Sequence, residues 1–173
     1  MPDLRDQLQQ CLQGRVCLMA LGNVDYADDS FGVRLGESLA RVGLQNVILA
    51  GTVPERLLGL VAEGGYDHVV FLDAVEFGGA PGSAVFLNTD EMTARFPQVS
   101  THKLSLGLLA KWVEAGGTTK AWLLGVQPES LRPGSSLTPT TQTTLNILTG
   151  LLSKTLLRVP VQSAAGIPQP AFA

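Results

Sequence analysis

The sequence predicts an α/β sandwich built on a mostly parallel sheet, and three observations carry that prediction. Nearly continuous apolar runs recur at 15–21 (RVCLMAL), 46–50 (NVILA), 68–74 (HVVFLDA), 84–88 (AVFLN) and 121–126 (AWLLGV). Strands buried on both faces read this way, because helices cover both sides of a parallel sheet. Most of the segments between them have apolar residues at helical spacing, and strands alternating with such helices build parallel sheets. The 19 glycines and 10 prolines are too few for a low-complexity chain, so they are expected at particular turns.

Each element has its own signal. Residues 3–13 read as a short amphipathic helix, with Leu4, Leu8, Cys11 and Leu12 on one side and Gly14 as its stop. A second helix is expected near 30–43, where Phe31, Leu35, Leu39 and Val42 recur before Gly43. The stretch 54–63 opens with Pro54 in the first turn, where a missing N–H costs nothing. Residues 101–116 read as a helix with Thr101 as N-cap. A last helix is expected from about 139, with Thr138 and Pro139 as cap and first-turn residue.

The organisation that results is an N-terminal helix at 1–14, one domain at 15–157, and a Pro- and Ala-rich tail at 158–173 expected to be loosely ordered. The charge balance is mild, with 12 Lys+Arg against 15 Asp+Glu and a net charge of -3. No basic stripe exists, which argues against nucleic acid or an anionic membrane as partner. No apolar segment is fit to span a membrane: the longest uncharged stretch, 133–153, is rich in Thr and Ser. The polar N-terminus lacks a signal-peptide core, so the expected location is the cytoplasm. Two cysteines (Cys11, Cys17) and two histidines (His68, His102) at unhelpful spacings exclude a closed zinc site and a disulfide framework.

In open sheets of this kind ligands bind at the carboxyl ends of the strands. Three loops there carry candidates. The first, LGNVDYADDSFG, places Asp28 and Asp29 just before a helix, either as N-caps or as a carboxylate site. The third strand ends in FLDA, where Asp73 is either a ligand or base, or a structural carboxylate bonding the next loop. His102 lies at the predicted first turn of 101–116, where the positive end of a helix favours the neutral imidazole a metal needs. Its alternative is a histidine with no task. His68, at the start of a strand, reads as solvated or capping. Two carboxylates and one imidazole, if they converge, form an O/O/N set that leaves coordination positions open and suits Ni, Zn or Mn.

Competing motifs are missing. There is no GxGxxG after a strand, no GxxxxGK[ST] and no GxSxG. Cys17 falls mid-strand and is expected to be buried, which disfavours a thiol nucleophile. Tyr26, Phe31 and Trp122 read as packing residues.

The ordered set LGNVDYADDSFGVRL, GTVPE (51–55), VVFLDAVEFGGAPG (69–82), STHKLSLGLL (100–109), GVQPES (125–130) and LTPT (137–140) resembles the hydrogenase maturation proteases. These are endopeptidases that trim the large subunit of nickel–iron hydrogenases. The resemblance covers roughly residues 15–155 and implies a three-layer α/β/α sandwich with a twisted sheet of about five strands. It implies that Asp29, Asp73 and His102 contact metal and are catalytic, with Asp28 as a possible auxiliary base, and that Gly51 and Thr52 orient the substrate peptide. It further implies cleavage of a C-terminal extension from a nickel-loaded large-subunit precursor. The precursor's own nickel would be the recognition signal, with no tightly bound resident cofactor. One departure is plain: where the family often has Asp-Gly-Gly, this chain has Leu49-Ala50-Gly51. A non-catalytic metal-sensing or chaperone-like binder of the large subunit is the alternative on the same fold.

Overall fold

The computed structural model describes residues 2–96 and 105–157. Five strands form one sheet: β1 (Val16–Leu21), β2 (Val47–Gly51), β3 (His68–Ala74), β4 (Ala84–Asn88) and β5 (Lys120–Val126). Their order is β2-β1-β3-β5-β4. All neighbours pair parallel except β4, which runs antiparallel to β5. Six α-helices accompany them among the described residues: α1 (Leu4–Cys11), α2 (Phe31–Arg41), α3 (Leu58–Glu63), α4 (Thr89–Arg95), α5 (Leu106–Glu114) and α6 (Pro139–Leu157). Short 3₁₀ turns, Ala27–Ser30 and Pro54–Leu57, lead into α2 and α3.

Period-two alternation along the strands divides the core into two layers. Leu18, Val70, Leu72 and Leu124 face one side, where they pack with Leu8 and Leu12 from the N-terminal helical segment, Phe31 and Leu35 of α2, and Leu148 and Leu152 of α6. Cys17, Met19, Val69, Phe71 and Leu123 face the other, against Val61 of α3, Met92 of α4 and Leu109 of α5. The predicted three-layer sandwich with a mostly parallel five-stranded sheet is therefore what the chain forms. Leu8 and Leu12 are fully buried, so the N-terminal helix packs as part of this core rather than standing apart from it.

Two elements depart from the sequence expectation. The run AVFLN does not lead into a plain connection: Asn88 and Glu91 form a capping box, Glu91 N–H donating to Asn88 Oδ1 at 2.9 Å and Asn88 N–H to Glu91 Oε2 at 2.8 Å. Two orphan donors are satisfied at once, and α4 starts there. The following helix begins at Leu106, not near 101. Ser105 is its N-cap, with Oγ accepting from Leu108 N–H at 3.2 Å. Thr101 and His102 lie outside the described residues, as does the tail from residue 158.

The way α2 meets the sheet sets the geometry of everything above it. A Cβ on Gly32 would fall 2.0 Å from the Leu72 carbonyl oxygen and 2.2 Å from that of Leu21. The first turn of α2 is thus wedged onto the last peptide groups of β1 and β3, at a distance only glycine permits. Gly32→Ala is expected to destabilise the protein by about 3 kcal/mol, the upper range for overpacking against atoms that cannot move aside. Urea unfolding measures it, and a variant as stable as the parent would mean that α2 does not need this close approach.

Candidate active site at the β1/β3 switch point

The chain leaves β1 through α2 to reach β2 on one side, then returns through α3 on the opposite face to β3 on the other side of β1. This reversal is a topological switch point, and in open sheets ligands bind beside it, here at the carboxyl ends of β1 and β3. Both predicted carboxylates are there. Asp73 is the penultimate residue of β3 and Asp29 lies in the 3₁₀ turn after β1; they are only 3% and 6% exposed. Asp73 continues the alternation of Val69 and Phe71, which belong to the layer of α3, α4 and α5.

Backbone geometry fixes Asp29. Asn23 N–H donates to Asp29 Oδ2 at 3.2 Å and to its carbonyl oxygen at 3.2 Å. Gly22, just before, has φ +135°, and a Cβ there would fall 2.0 Å from that same carbonyl. Gly22 N–H donates to the Gly51 carbonyl at 3.0 Å, which ties the end of β2 to this loop. Gly51 and the exposed Thr52, expected to orient substrate, are thus adjacent to the Asp29 turn.

Asp28 has a different task from its neighbour. It is fully buried and accepts from Glu129 N–H (2.9 Å), Ser130 N–H (3.1 Å), Thr138 N–H (2.8 Å), Thr138 Oγ1 and Thr141 Oγ1 (2.6 Å). It caps neither the 3₁₀ turn nor α2, whose flanking residues Tyr26 and Ser30 make no side-chain capping bond. Burial alone pushes its pKa up; the Thr141 hydroxyl and the N–H groups of Thr138, Ser130 and Glu129 more than offset this and hold it below the ordinary 3.8. With both oxygens occupied, Asp28 is poorly suited to act as a base. Thr138 occupies the N-cap position of α6, its carbonyl taking the first helical bond from Gln142, but its hydroxyl turns to Asp28.

One positioning residue carried no assigned role in the sequence. Gln127, immediately after β5, accepts with Oε1 from the N–H groups of Phe77, Gly78 and Gly79 at 2.9, 3.1 and 3.3 Å. It organises the loop that leaves Asp73. The signal available was GVQPES: an amide side chain directly after a buried strand, opposite a Gly-Gly pair with free donors.

His102 lies outside the described residues, so the third member of the predicted set is not brought together with the carboxylates here. Among the described residues, no three His, Cys, Asp or Glu side chains form a metal-sized group. His68 is half-buried, not solvated: Trp122 Nε1–H donates to its Nδ1 at 3.0 Å, and burial lowers its pKa. Cys17 is buried and its thiol is pushed up to about 11 by desolvation, as expected of a packing residue. Phe31 is fully buried and Trp122 stacks on Phe86 at 4.9 Å; Tyr26 is largely exposed.

The sequence profile of the hydrogenase maturation protease family matches residues 33–154. The chain belongs to this family. It is similar to the hydrogenase 2 maturation protease of Escherichia coli, 33% identical over 136 residues that span 74% of this chain and 82% of that one. Among solved structures it resembles a NiFe hydrogenase maturation protease from Thermococcus kodakarensis, with a TM-score of 0.77, 28% identity, and coverage of 87% of this chain and 99% of that one. It also resembles the hydrogenase maturating endopeptidase HybD from E. coli, with a TM-score of 0.70, 32% identity, and coverage of 83% and 92%. Relatives are named proteases and endopeptidases, and the chain is a peptidase.

The Asp28 network yields a stability prediction. Asp28→Ala leaves several buried donors without an acceptor and is expected to cost about 3–4 kcal/mol in chemical unfolding. Because the folded carboxyl lies below 3.8, its contribution is complete above that pH and is lost as the pH falls through the folded value. The stability gap between the parent and Asp28→Asn should therefore shrink on acidification below 3.8; a gap constant from pH 6 to pH 2 would contradict this.

Proposed function

We propose that this peptidase removes the C-terminal extension of a nickel-loaded nickel–iron hydrogenase large-subunit precursor. The observation that carries the reading is two buried carboxylates beside the switch point, Asp73 near the end of β3 and Asp29 in the turn that follows β1. Nickel arrives with the substrate, and Asp29, Asp73 and His102 are the ligands that receive it. Hard oxygen donors and one imidazole suit a borderline ion and leave positions open for substrate atoms.

Glu114 Oε1 accepts from Ala121 N–H at 2.9 Å, so the end of α5 lies at the start of β5 and its beginning lies at the carboxyl edge of the sheet. In the proposed mechanism the substrate's nickel polarises the scissile carbonyl or holds the attacking water, and a carboxylate of the site takes the proton. Asp28 stands outside this role because both its oxygens are engaged in holding loops. Gly51 and Thr52 orient the peptide beside Asp29.

The partner is the precursor of the large subunit, and the proposed location is the cytoplasm, which suits two free thiols. No helix among the described residues is long and apolar enough to cross a membrane.

Incubation of nickel-loaded precursor with Asp29→Asn, Asp73→Asn and His102→Ala variants, followed by the mobility shift of the large subunit, tests the site. Each variant is expected to slow processing by about two orders of magnitude or more, since several kcal/mol of metal-based stabilisation are lost. Full processing by Asp73→Asn or His102→Ala would remove those residues from the site. Nickel-free precursor is expected to remain untrimmed; trimming at the same rate would overturn recognition through the metal.

A further inference from the structure

We propose that the free edge of β2 is the docking strand for the substrate: the precursor's C-terminal segment adds to it as an extended strand and is led by it to Asp29. This rests on the function proposed above and specifies how the peptide is held.

The edge is open in a definite pattern. Leu18 N–H donates to the Asn46 carbonyl, and Leu18 pairs in register with Val47. In a parallel ladder that phase turns the main-chain groups of Asn46 and Ile48 toward β1 and those of Val47 and Leu49 outward; beyond them the register shifts, and the Ala50 carbonyl accepts from Val53 N–H at 3.2 Å. β2 is the terminal strand of the sheet, and no hydrogen bond reaches the outward N–H or C=O of Val47 or Leu49 among the described residues. An exposed edge of this kind is a ready template for another chain.

Nothing on the strand guards it. Residues 46–53, NVILAGTV, hold no charge and no proline, the usual devices that blunt an edge. Leu49 is 50% exposed and Val53 37% exposed, so the strand and the turn after it offer apolar contact beside the main-chain donors and acceptors. The other edge, β4, lies beyond β5 and away from the β1 loop.

The edge also runs to the site. Gly22 N–H joins the Gly51 carbonyl, and Gly22 packs directly on the Asp29 carbonyl. A chain paired with Val47 and Leu49 and continuing past Gly51 meets the Asp29 turn within a few residues. A peptidase must hold its substrate extended near the reacting bond, and strand addition does so with main-chain bonds that tolerate varied side chains. The occupant is therefore an extended peptide without proline at the paired positions.

Leu49→Pro tests this without touching the β1 ladder, because the N–H it removes faces outward, where edge strands accept proline. With nickel-loaded precursor we expect KM to rise about five- to tenfold with kcat within about twofold of the parent, the signature of lost uniform binding. Leu49→Ala, which keeps the N–H, is expected to lose less. Hydrogen exchange of the unaltered protein should show new protection over 46–51 when precursor is added. An unchanged KM in a folded Leu49→Pro variant overturns the proposal. If that variant does not fold, absence of protection over 46–51 in the unaltered protein overturns it equally. If the unaltered protein does not process nickel-loaded precursor at all, the function proposed above fails first and this inference falls with it.

Discussion

The carboxylate of Asp28 is the interaction on which the upper rim of this molecule depends. It is a charge taken fully out of water, and it is tolerable there only because five donors surround it. Those donors come from the β5–α6 loop and the first turn of α6, more than a hundred residues away in sequence. The bond network thus closes the sheet's carboxyl edge from β1 to β5. Two main-chain bonds reinforce the closure, Asp28 N–H to the Ser130 carbonyl at 3.0 Å and Gly134 N–H to the Asp25 carbonyl at 2.9 Å.

Gln127 does for the β3 loop what Asp28 does for the β1 loop. A neutral amide suffices there because its oxygen meets three N–H groups on a partly exposed loop and its main chain is paired as well, N–H to Ser83 and C=O from Gly82, each at 2.9 Å. The β5–α6 connection therefore holds both loops that carry the candidate ligands. Asp29 and Asp73 are thus placed by loops that Asp28 and Gln127 hold, the way a rigid supporting shell positions side chains.

If the metal comes with the substrate, as proposed, the site needs no donor set strong enough to trap free metal. The rim's rigidity and the open β2 edge are complementary in this respect. The loops that would meet the metal are cross-linked, while the outer edge of the strand that would meet the peptide is unpaired among the described residues. In the proposed scheme main-chain pairing would recognise an extended chain and the metal contacts its state of loading, two recognition events that experiment can separate.

The strand runs and their order in sequence were legible without coordinates because burial on both faces forces apolar continuity; β3 and β4 match their predicted bounds, and β1, β2 and β5 shift by one residue. Asp29 and Asp73 were legible as carboxylates at strand ends, since open parallel sheets place loops with chemistry there. The described part of α5 starts at Leu106 with Ser105 as its cap, a residue type as good for that position as Thr101, so sequence alone could not choose between them. The division of labour between Asp28 and Asp29 was illegible for a similar reason. Adjacent residues of one type look alike in sequence, but in the 3₁₀ turn only one of them reaches Thr138 and Thr141. Periodicity and composition are local properties, and they determined the fold class and the candidate ligands. Which carboxylate is a structural anchor, and which strand edge stays free, depend on partners distant in sequence, and only the tertiary structure decided them.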